Sequence, residues 1–388
     1  MLAAADSLVQ DTSIHLAIAA PSLLVDRMEL ICGEKISYYV FPLGRGNTHI
    51  NKEYEQYWNA IVSTFHPDVV HIHGTEFSHG LAYVNACGAK NVVVSIQGLT
   101  SAFEFYYYGL SISEIRKNVT PRDIIKGNTL RAYRRFKARS IYEKQLLTRV
   151  QHVIGRTSWD RARVWAVNPS IDYHFCNETL REEFYTGQWD YEKCQKHSIF
   201  FSQANYPLKG LHMLLRALPL VIRHFPDLTV RIAGSDITRS SSLFERLKIT
   251  DYGRIIRRLI RNNNLQERVV FTGPLDAEQM KREYLNANVF ICSSSIENSP
   301  NSLCEAQLLG VPVIASYVGG VPDLMKGDEI HLYRFEEIEM LAWRICDLFE
   351  NSNNINYSNL RQIALERHDS RINLTTLVDI YNTIINDQ

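Results

Sequence analysis

The stretch Ser293-Ser294-Ser295-Ile296-Glu297-Asn298-Ser299-Pro300-Asn301-Ser302-Leu303-Cys304-Glu305-Ala306 continues through Gln307-Leu308-Leu309-Gly310-Val311-Pro312-Val313-Ile314-Ala315-Ser316 to Tyr317-Val318-Gly319-Gly320-Val321-Pro322-Asp323. The apolar run that ends at Cys292 reads as a buried strand. A polar loop holding Glu297 follows it. Ser302 is expected to start a helix with Glu305 on its first turn, Gly310 to stop that helix, and Pro312 to open the next strand. Two carboxylates and the free N–H groups of a helix start then share one strand end, a place that attracts anions such as a pyrophosphate. A carboxylate there can accept hydrogen bonds from sugar hydroxyls, each worth about 1.5–3 kcal/mol when charge-assisted. Gly319-Gly320 is expected to let backbone come close to a ligand.

The same alternation extends outward over the chain. Strands are expected at 14–19, 36–41, 69–72, 92–96 and 152–155, with helices at 53–65, 121–149 and 159–167. Residues 177–196 turn polar, aromatic and charged, and read as a linker. Strands at 199–202, 228–233, 269–272, 289–292 and 311–315 then alternate with helices at 210–224, 243–262, 277–286 and 302–309. Three helices close the chain, the last near 371–384. Alternating strands and helices predict α/β architecture: two Rossmann-like domains with parallel sheets facing a cleft. The first domain covers 1–180, joined by the C-terminal helix 368–388, and the second covers 195–367. The chain opens in a helix over 1–9 with no strand before it. A doubly wound sheet places its first strand near the centre, so that strand is expected to be missing, either upstream or lost by truncation.

Composition narrows the function classes. The 388 residues are 45% hydrophobic and 22% charged, which is globular. Lys plus Arg and Asp plus Glu both number 42, so no net field recruits nucleic acid, and an anionic ligand needs a local site. The seven cysteines are scattered, with no C-x-x-C pair, which argues for reduced thiols and against zinc or a disulfide framework. The start of the chain has no basic, apolar leader, and no run approaches the ~20 apolar residues of a membrane span. A cytoplasmic protein is expected, at most peripheral at the inner face of the membrane. Residues 102–108 read as an aromatic loop before a helix carrying Arg131, Arg134, Arg135, Lys137, Arg139, Lys144 and Arg149. That could touch a membrane surface, although a solvated face is the plainer reading. A second patch, Arg254, Arg257, Arg258 and Arg261, reads as solvated surface. His71 and His73 are read as facing opposite sides of a strand, unable to share a metal.

The quoted segment resembles the retaining glycosyltransferases of family 4, of the two-domain GT-B type. Their signature is two glutamates eight positions apart, E-A, G-x-P-V and G-G-x-P. Glu297, Glu305-Ala306, Gly310-Val311-Pro312-Val313 and Gly319-Gly320-Val321-Pro322 supply it. Lys209-Gly210 is similar to the family's K-G element. Ile232-Ala233-Gly234 and Val270-Phe271-Thr272-Gly273 resemble two of its strand ends, and Pro67-Asp68-Val69-Val70-His71-Ile72-His73 resembles its P-D-V-V-H-x-H strand. The resemblance implies hexosyl transfer from a UDP- or GDP-sugar to a glycan or lipid-linked acceptor, in cell-surface polysaccharide or glycolipid synthesis.

It also implies residue roles. Lys209 pairs with the donor diphosphate and Glu297 contacts the transferring sugar, as the catalytic pair. Glu305 holds the nucleotide ribose, with Asn301, Ser302, Leu303, Gly234 and Gly273 also on the donor. Gln97 and His73 fall on the acceptor side or cleft. No cofactor is implied, the nucleotide sugar being a substrate, and the chain has no D-x-D motif to hold a metal. Two positions depart from the pattern: Ala204 stands where the family has an arginine, and Gln97 where it often has a histidine. A non-catalytic, truncated relative that binds sugar nucleotides is the second reading. A nicotinamide-dependent oxidoreductase is disfavoured, because no G-x-G-x-x-G follows a strand.

Overall fold

The computed structural model describes residues 2–10, 13–43, 52–106, 109–239, 242–352 and 357–386. Tyr107 and Tyr108 of the aromatic segment lie outside them. The first half runs α1 (Leu2–Leu8), β1 (Leu16–Ser22), β2 (Glu29–Cys32), β3 (Ile36–Pro42), α2 (Lys52–Phe65), β4 (Val70–His73), α3 (Ser78–Cys87), β5 (Val92–Ser95), α4 (Thr100–Tyr106), α5 (Ile112–Lys117), α6 (Pro121–Lys126), α7 (Thr129–Leu147), β6 (His152–Gly155), α8 (Ser158–Val167) and β7 (Asp172–Phe175). The second half runs β8 (Gln195–Phe201), α9 (Leu211–Val221), β9 (Thr229–Ile232), α10 (Leu243–Lys248), α11 (Asp251–Asn262), β10 (Val269–Phe271), α12 (Ala277–Asn286), β11 (Ala287–Cys292), α13 (Asn301–Leu309), β12 (Val313–Ser316), α14 (Val321–Leu324), β13 (Leu332–Tyr333), α15 (Ile338–Asn351), α16 (Tyr357–Arg367) and α17 (Ser370–Asn386).

These elements form two compact units. Unit 1 holds residues 1–104, 135–180 and 368–388, and unit 2 holds 105–134 and 181–367. Residues 105–134 join unit 2 through specific bonds. Thr129 donates through its amide and hydroxyl to the buried Asp251 carboxylate, each at 2.9 Å, and the Thr120 hydroxyl donates to the Ile249 carbonyl at 2.8 Å. Arg216 reaches both oxygens of Glu114 at 2.9 Å.

In unit 2, six parallel strands pair in the order β10-β9-β8-β11-β12-β13. This is the doubly wound order, reversing direction between β8 and β11. β11 is buried along its whole length, as a strand covered by helices on both faces should be. In unit 1 the strands fall into two sheets, β1-β3-β2 and β4-β5-β6-β7. The pairs are parallel except β2 against β3. α17 belongs to unit 1: Leu377, Ile380 and Ile384 share a cluster with Val93 of β5 and Ile154 of β6. No helix among the described residues is long and apolar enough to cross a membrane.

Four local expectations are corrected. The helix expected over 121–149 is two helices, because Gly127 at φ +93° ends α6 and the Asn128 side chain accepts from the Arg131 amide to start α7. The basic helix expected over 243–262 is also two, because Thr250 adopts an extended cap and accepts from the Gly253 amide at 2.9 Å. Its arginines are not a bare solvated face, since Arg254 donates to the Val119 carbonyl and Arg258 pairs with Glu114. The aromatic segment at 102–108 is helical through Tyr106, not a loop, with Ala102 buried and Phe105 exposed.

One buried carboxylate fastens the start of α4. Glu143 is fully buried and accepts from the Thr75 hydroxyl (2.8 Å), the Thr100 amide (2.7 Å) and hydroxyl (3.0 Å), and the Ser101 amide (2.9 Å). Glu143→Ala leaves those donors without their acceptor and should lower the unfolding free energy by on the order of 3 kcal/mol. A urea midpoint that does not move would contradict this role.

Candidate functional site

In a doubly wound sheet, ligands settle outside the carboxyl ends of the two strands where the order reverses. In unit 2 those strands are β8 and β11. The loop after β8 carries Lys209 and the loop after β11 carries Glu297. Topology thus joins two residues 88 positions apart: the Lys209 ammonium pairs with Glu297 Oε1 at 2.6 Å. The Ser294 hydroxyl donates to the same oxygen at 2.7 Å. Burial alone would lower the lysine's pKa, but the adjacent Glu297 carboxylate outweighs it and holds the ammonium above its usual range. Lys209 therefore stays charged at any physiological pH. Ala204, on the same loop, is buried in the core and brings no charge.

Glycines press the backbone of this loop into shape. Gly210, at φ +75°, lies so close to the loop that a Cβ there would sit 1.6 Å from the Ser293 carbonyl oxygen. Gly319, at φ +52°, would place one 1.8 Å from the Glu297 carbonyl oxygen, and the Gly320 amide donates to that oxygen at 3.1 Å. The Gly319-Gly320 pair thus comes close to the chain's own backbone, where the sequence reading had expected a ligand. Its effect is to fix the residue that carries the carboxylate.

α13 begins at Asn301, one residue earlier than expected, so Glu305 is its fifth residue and lies past the first turn. The Leu303 amide turns back to the Pro300 carbonyl at 3.0 Å, leaving the amides of Asn301 and Ser302 as the donors at this helix start. Asn301 is exposed, Ser302 half-buried and Leu303 buried. Glu305 is buried, and Arg181 donates to its Oε1 through Nε at 3.0 Å and Nη2 at 2.7 Å. Burial pushes the Glu305 carboxyl up, and the guanidinium opposes that push. Gly234 and Gly273 meet in an isolated bridge beyond the ends of β9 and β10, the Gly234 amide donating to the Gly273 carbonyl at 2.9 Å. Open space lies where a Cβ on Gly273 would stand.

Sequence reasoning missed Arg181, which falls in a stretch read as linker. Its only signal was a cation 3 residues before Phe184, over whose ring the guanidinium sits at 4.7 Å. Ser294 was in view in the quoted segment, but its spacing to Glu297 suggested no role.

Gln97 and His73 come together in unit 1. They line a cavity of about 60 Å³ with Arg156, Glu178, Ser95 and His71. Arg156, also unforeseen, donates to Gln97 Oε1 at 3.0 Å and to the Ile96 carbonyl at 2.9 Å, and pairs with Glu178. Burial pulls the His73 imidazole down to about 4, so it is neutral at physiological pH. His71 and His73 do not face opposite sides: their rings stack with centroids 4.0 Å apart. The reason is elementary, since residues two apart on a strand point to the same face. Among the described residues no group of His, Cys, Asp and Glu is arranged to hold a metal ion.

Comparison with known proteins points in one direction. Residues 195–351 match the family described as glycosyl transferases group 1. The chain is 28% identical over 160 residues to spore coat protein SA of Bacillus subtilis, covering 40% of each chain. It is 31% identical over 124 residues to the GDP-mannose-dependent alpha-(1-6)-phosphatidylinositol monomannoside mannosyltransferase of Mycolicibacterium smegmatis, covering 30% of this chain and 29% of that one. Both alignments span less than half of the relative's length. Among solved structures, sucrose-phosphate synthase of Thermosynechococcus elongatus superposes with a TM-score of 0.70 at 16% identity, covering 98% of this chain and 92% of that chain. HepE of Anabaena, in complex with UDP and glucose, superposes with a TM-score of 0.64 at 16% identity, covering 90% and 86%. At such identities these two show a shared fold.

Proposed function

The chain belongs to the group 1 glycosyltransferases of the GT-B fold through residues 195–351, and from that premise we propose that it moves a hexosyl group from a nucleoside-diphosphate sugar to an acceptor hydroxyl with retention. The observation that carries this reading is the Lys209–Glu297 pair at the reversal of the unit 2 sheet, beside the open helix start at Asn301. The donor is a UDP- or GDP-sugar; the relatives named above include one protein named for GDP-mannose and one crystallised with UDP. The acceptor is a glycan or lipid-linked hydroxyl, and the setting is cell-surface polysaccharide or glycolipid synthesis at the cytoplasmic side.

The residues divide the work as follows. The leaving nucleoside diphosphate gains negative charge as the C1–O bond breaks. A fixed cation aimed at that charge is worth ~10²–10³ in rate. Lys209 supplies it, together with the amides of Asn301 and Ser302 at the positive end of α13. No divalent ion is called on for that neutralisation. Glu297 holds the transferring sugar and Glu305 the ribose. The acceptor oxygen attacks C1 from the face the leaving group departs, and its proton passes to the leaving phosphate oxygen. No side chain has to act as general base.

Calorimetric titration of the full chain with UDP, GDP, ADP and CMP tests the donor site. One nucleotide should bind at micromolar concentration, and Glu305→Ala should weaken it by about 1.5–3 kcal/mol. A folded wild-type chain that binds none of the four would overturn the reading.

A further inference from the structure

Glu305 does not stand alone. Its Oε1 takes two hydrogen bonds from the Arg181 guanidinium, while Oε2 has no hydrogen-bond partner among the described residues. Arg181 is itself held from behind, with its guanidinium 4.7 Å from the centroid of the Phe184 ring. Phe184 is fully buried and stacks edge-on against Tyr284, whose hydroxyl donates to the Ser302 carbonyl at 2.9 Å. A chain of contacts thus runs from a half-exposed arginine on one side of the glutamate to the first turn of α13 on the other. A buried carboxylate tied at one oxygen and free at the other is oriented to accept from a ligand hydroxyl.

We propose that Arg181 is a positioning residue for the nucleotide ribose, tying Glu305 by one oxygen so that the other is left to accept from the ribose hydroxyls. The inference rests on the donor-site reading above and adds to it a residue outside the family signature. It also gives Arg181 a second effect. Only the ionised carboxyl accepts two hydroxyl hydrogens, and burial works against ionisation while the guanidinium works for it. The other groups near Glu305 are Glu183, which also raises its pKa, and Tyr284, whose phenol burial holds neutral. On the α16 side, Arg367 is engaged with Gln307 Oε1 at 3.0 Å. Arg181 is the group among these that both bonds to and counters the charge of Glu305.

The test compares a nucleoside diphosphate with its 2′,3′-dideoxy analogue by calorimetry, on the wild-type chain, Arg181→Met, Arg181→Lys and Glu305→Ala, between pH 6 and 8.5. The wild type should prefer the ribonucleotide by about tenfold or more. Arg181→Met should lose most of that preference while binding the dideoxy analogue nearly as before. The preference it keeps for the ribonucleotide over the dideoxy analogue should rise with pH more steeply than that of the wild type, because its glutamate ionises at a higher pH. Arg181→Lys should recover part of the preference, and Arg181→Met should add little in the Glu305→Ala background. Unchanged binding in Arg181→Met would overturn the proposal. So would an equal loss for both nucleotides, which would mark a direct phosphate contact or a damaged fold. A wild type that binds nucleotide without preferring the ribose form would sink this inference and leave the diphosphate site standing. A wild type that binds no nucleotide would sink both.

Discussion

Lys209→Met is expected to lower kcat/KM for donor turnover by about 10²–10³, read as release of nucleoside diphosphate from the sugar nucleotide. The loss should fall on kcat, because the cation acts most strongly on charge that develops as the C1–O bond breaks. A stability effect accompanies it. Lys209 and Glu297 expose only 19% and 9% of their side chains, so methionine leaves the glutamate buried with Ser294 as its remaining partner. Removing one member of a buried pair costs about 3–5 kcal/mol. The double variant Lys209→Met, Glu297→Gln isolates the stability effect, since it removes the stranded charge while lacking both the cation and the sugar-holding carboxylate. It should regain stability without regaining turnover. Wild-type kcat/KM in Lys209→Met, with the melting temperature unchanged, would show that the pair serves neither purpose.

Gly319→Ala should damage activity far more than the single added methyl group suggests. The added Cβ meets the Glu297 carbonyl oxygen at 1.8 Å, a backbone atom that cannot swing aside. The positive φ costs a further ~1–2 kcal/mol for any L residue, and overpacking adds about 1–3 kcal/mol. Relief requires the loop carrying Glu297 to shift, and a displacement of roughly 1 Å at a reacting centre can cost about 10²-fold in rate. Gly88→Ala is the control: its φ of +86° brings similar backbone strain, but its Cβ meets open space and it has no part in the donor site. Thermal melts and donor turnover of the two variants, side by side, check the argument. Equal effects would mean that backbone strain alone explains both and that Glu297 is not held by this contact.

The architecture was legible because its signals are local. The run ending at Cys292 and the helix from Asn301 to Leu309 follow from apolar continuity, Gly310 and Pro312. Strand–helix alternation likewise marks unit 2 as a parallel α/β layer, while its strand order is visible only in the fold. The antiparallel β2 was not read, because all four of its residues are exposed and no alternation marks them. The long helices were broken by turn chemistry, at Gly127 and Thr250, that a helical period masks.

At the site, the glutamates and the lysine were legible from spacing. What surrounds them was not. Arg181 reaches Glu305 from 124 positions away, and Arg156 reaches Gln97 from 59, distances over which no pattern in the chain operates. The Gly319 contact could be read as ligand approach or as backbone approach from the same two letters, and only the fold distinguishes them.

The most direct measurement is a crystal structure of the full chain with the nucleoside diphosphate that calorimetry selects. The account predicts its phosphates at the amides of Asn301 and Ser302 with the Lys209 ammonium in contact, and its ribose hydroxyls on Glu305 Oε2. A nucleotide bound elsewhere in unit 2, with Lys209 still paired to Glu297 and Oε2 untouched, would contradict it.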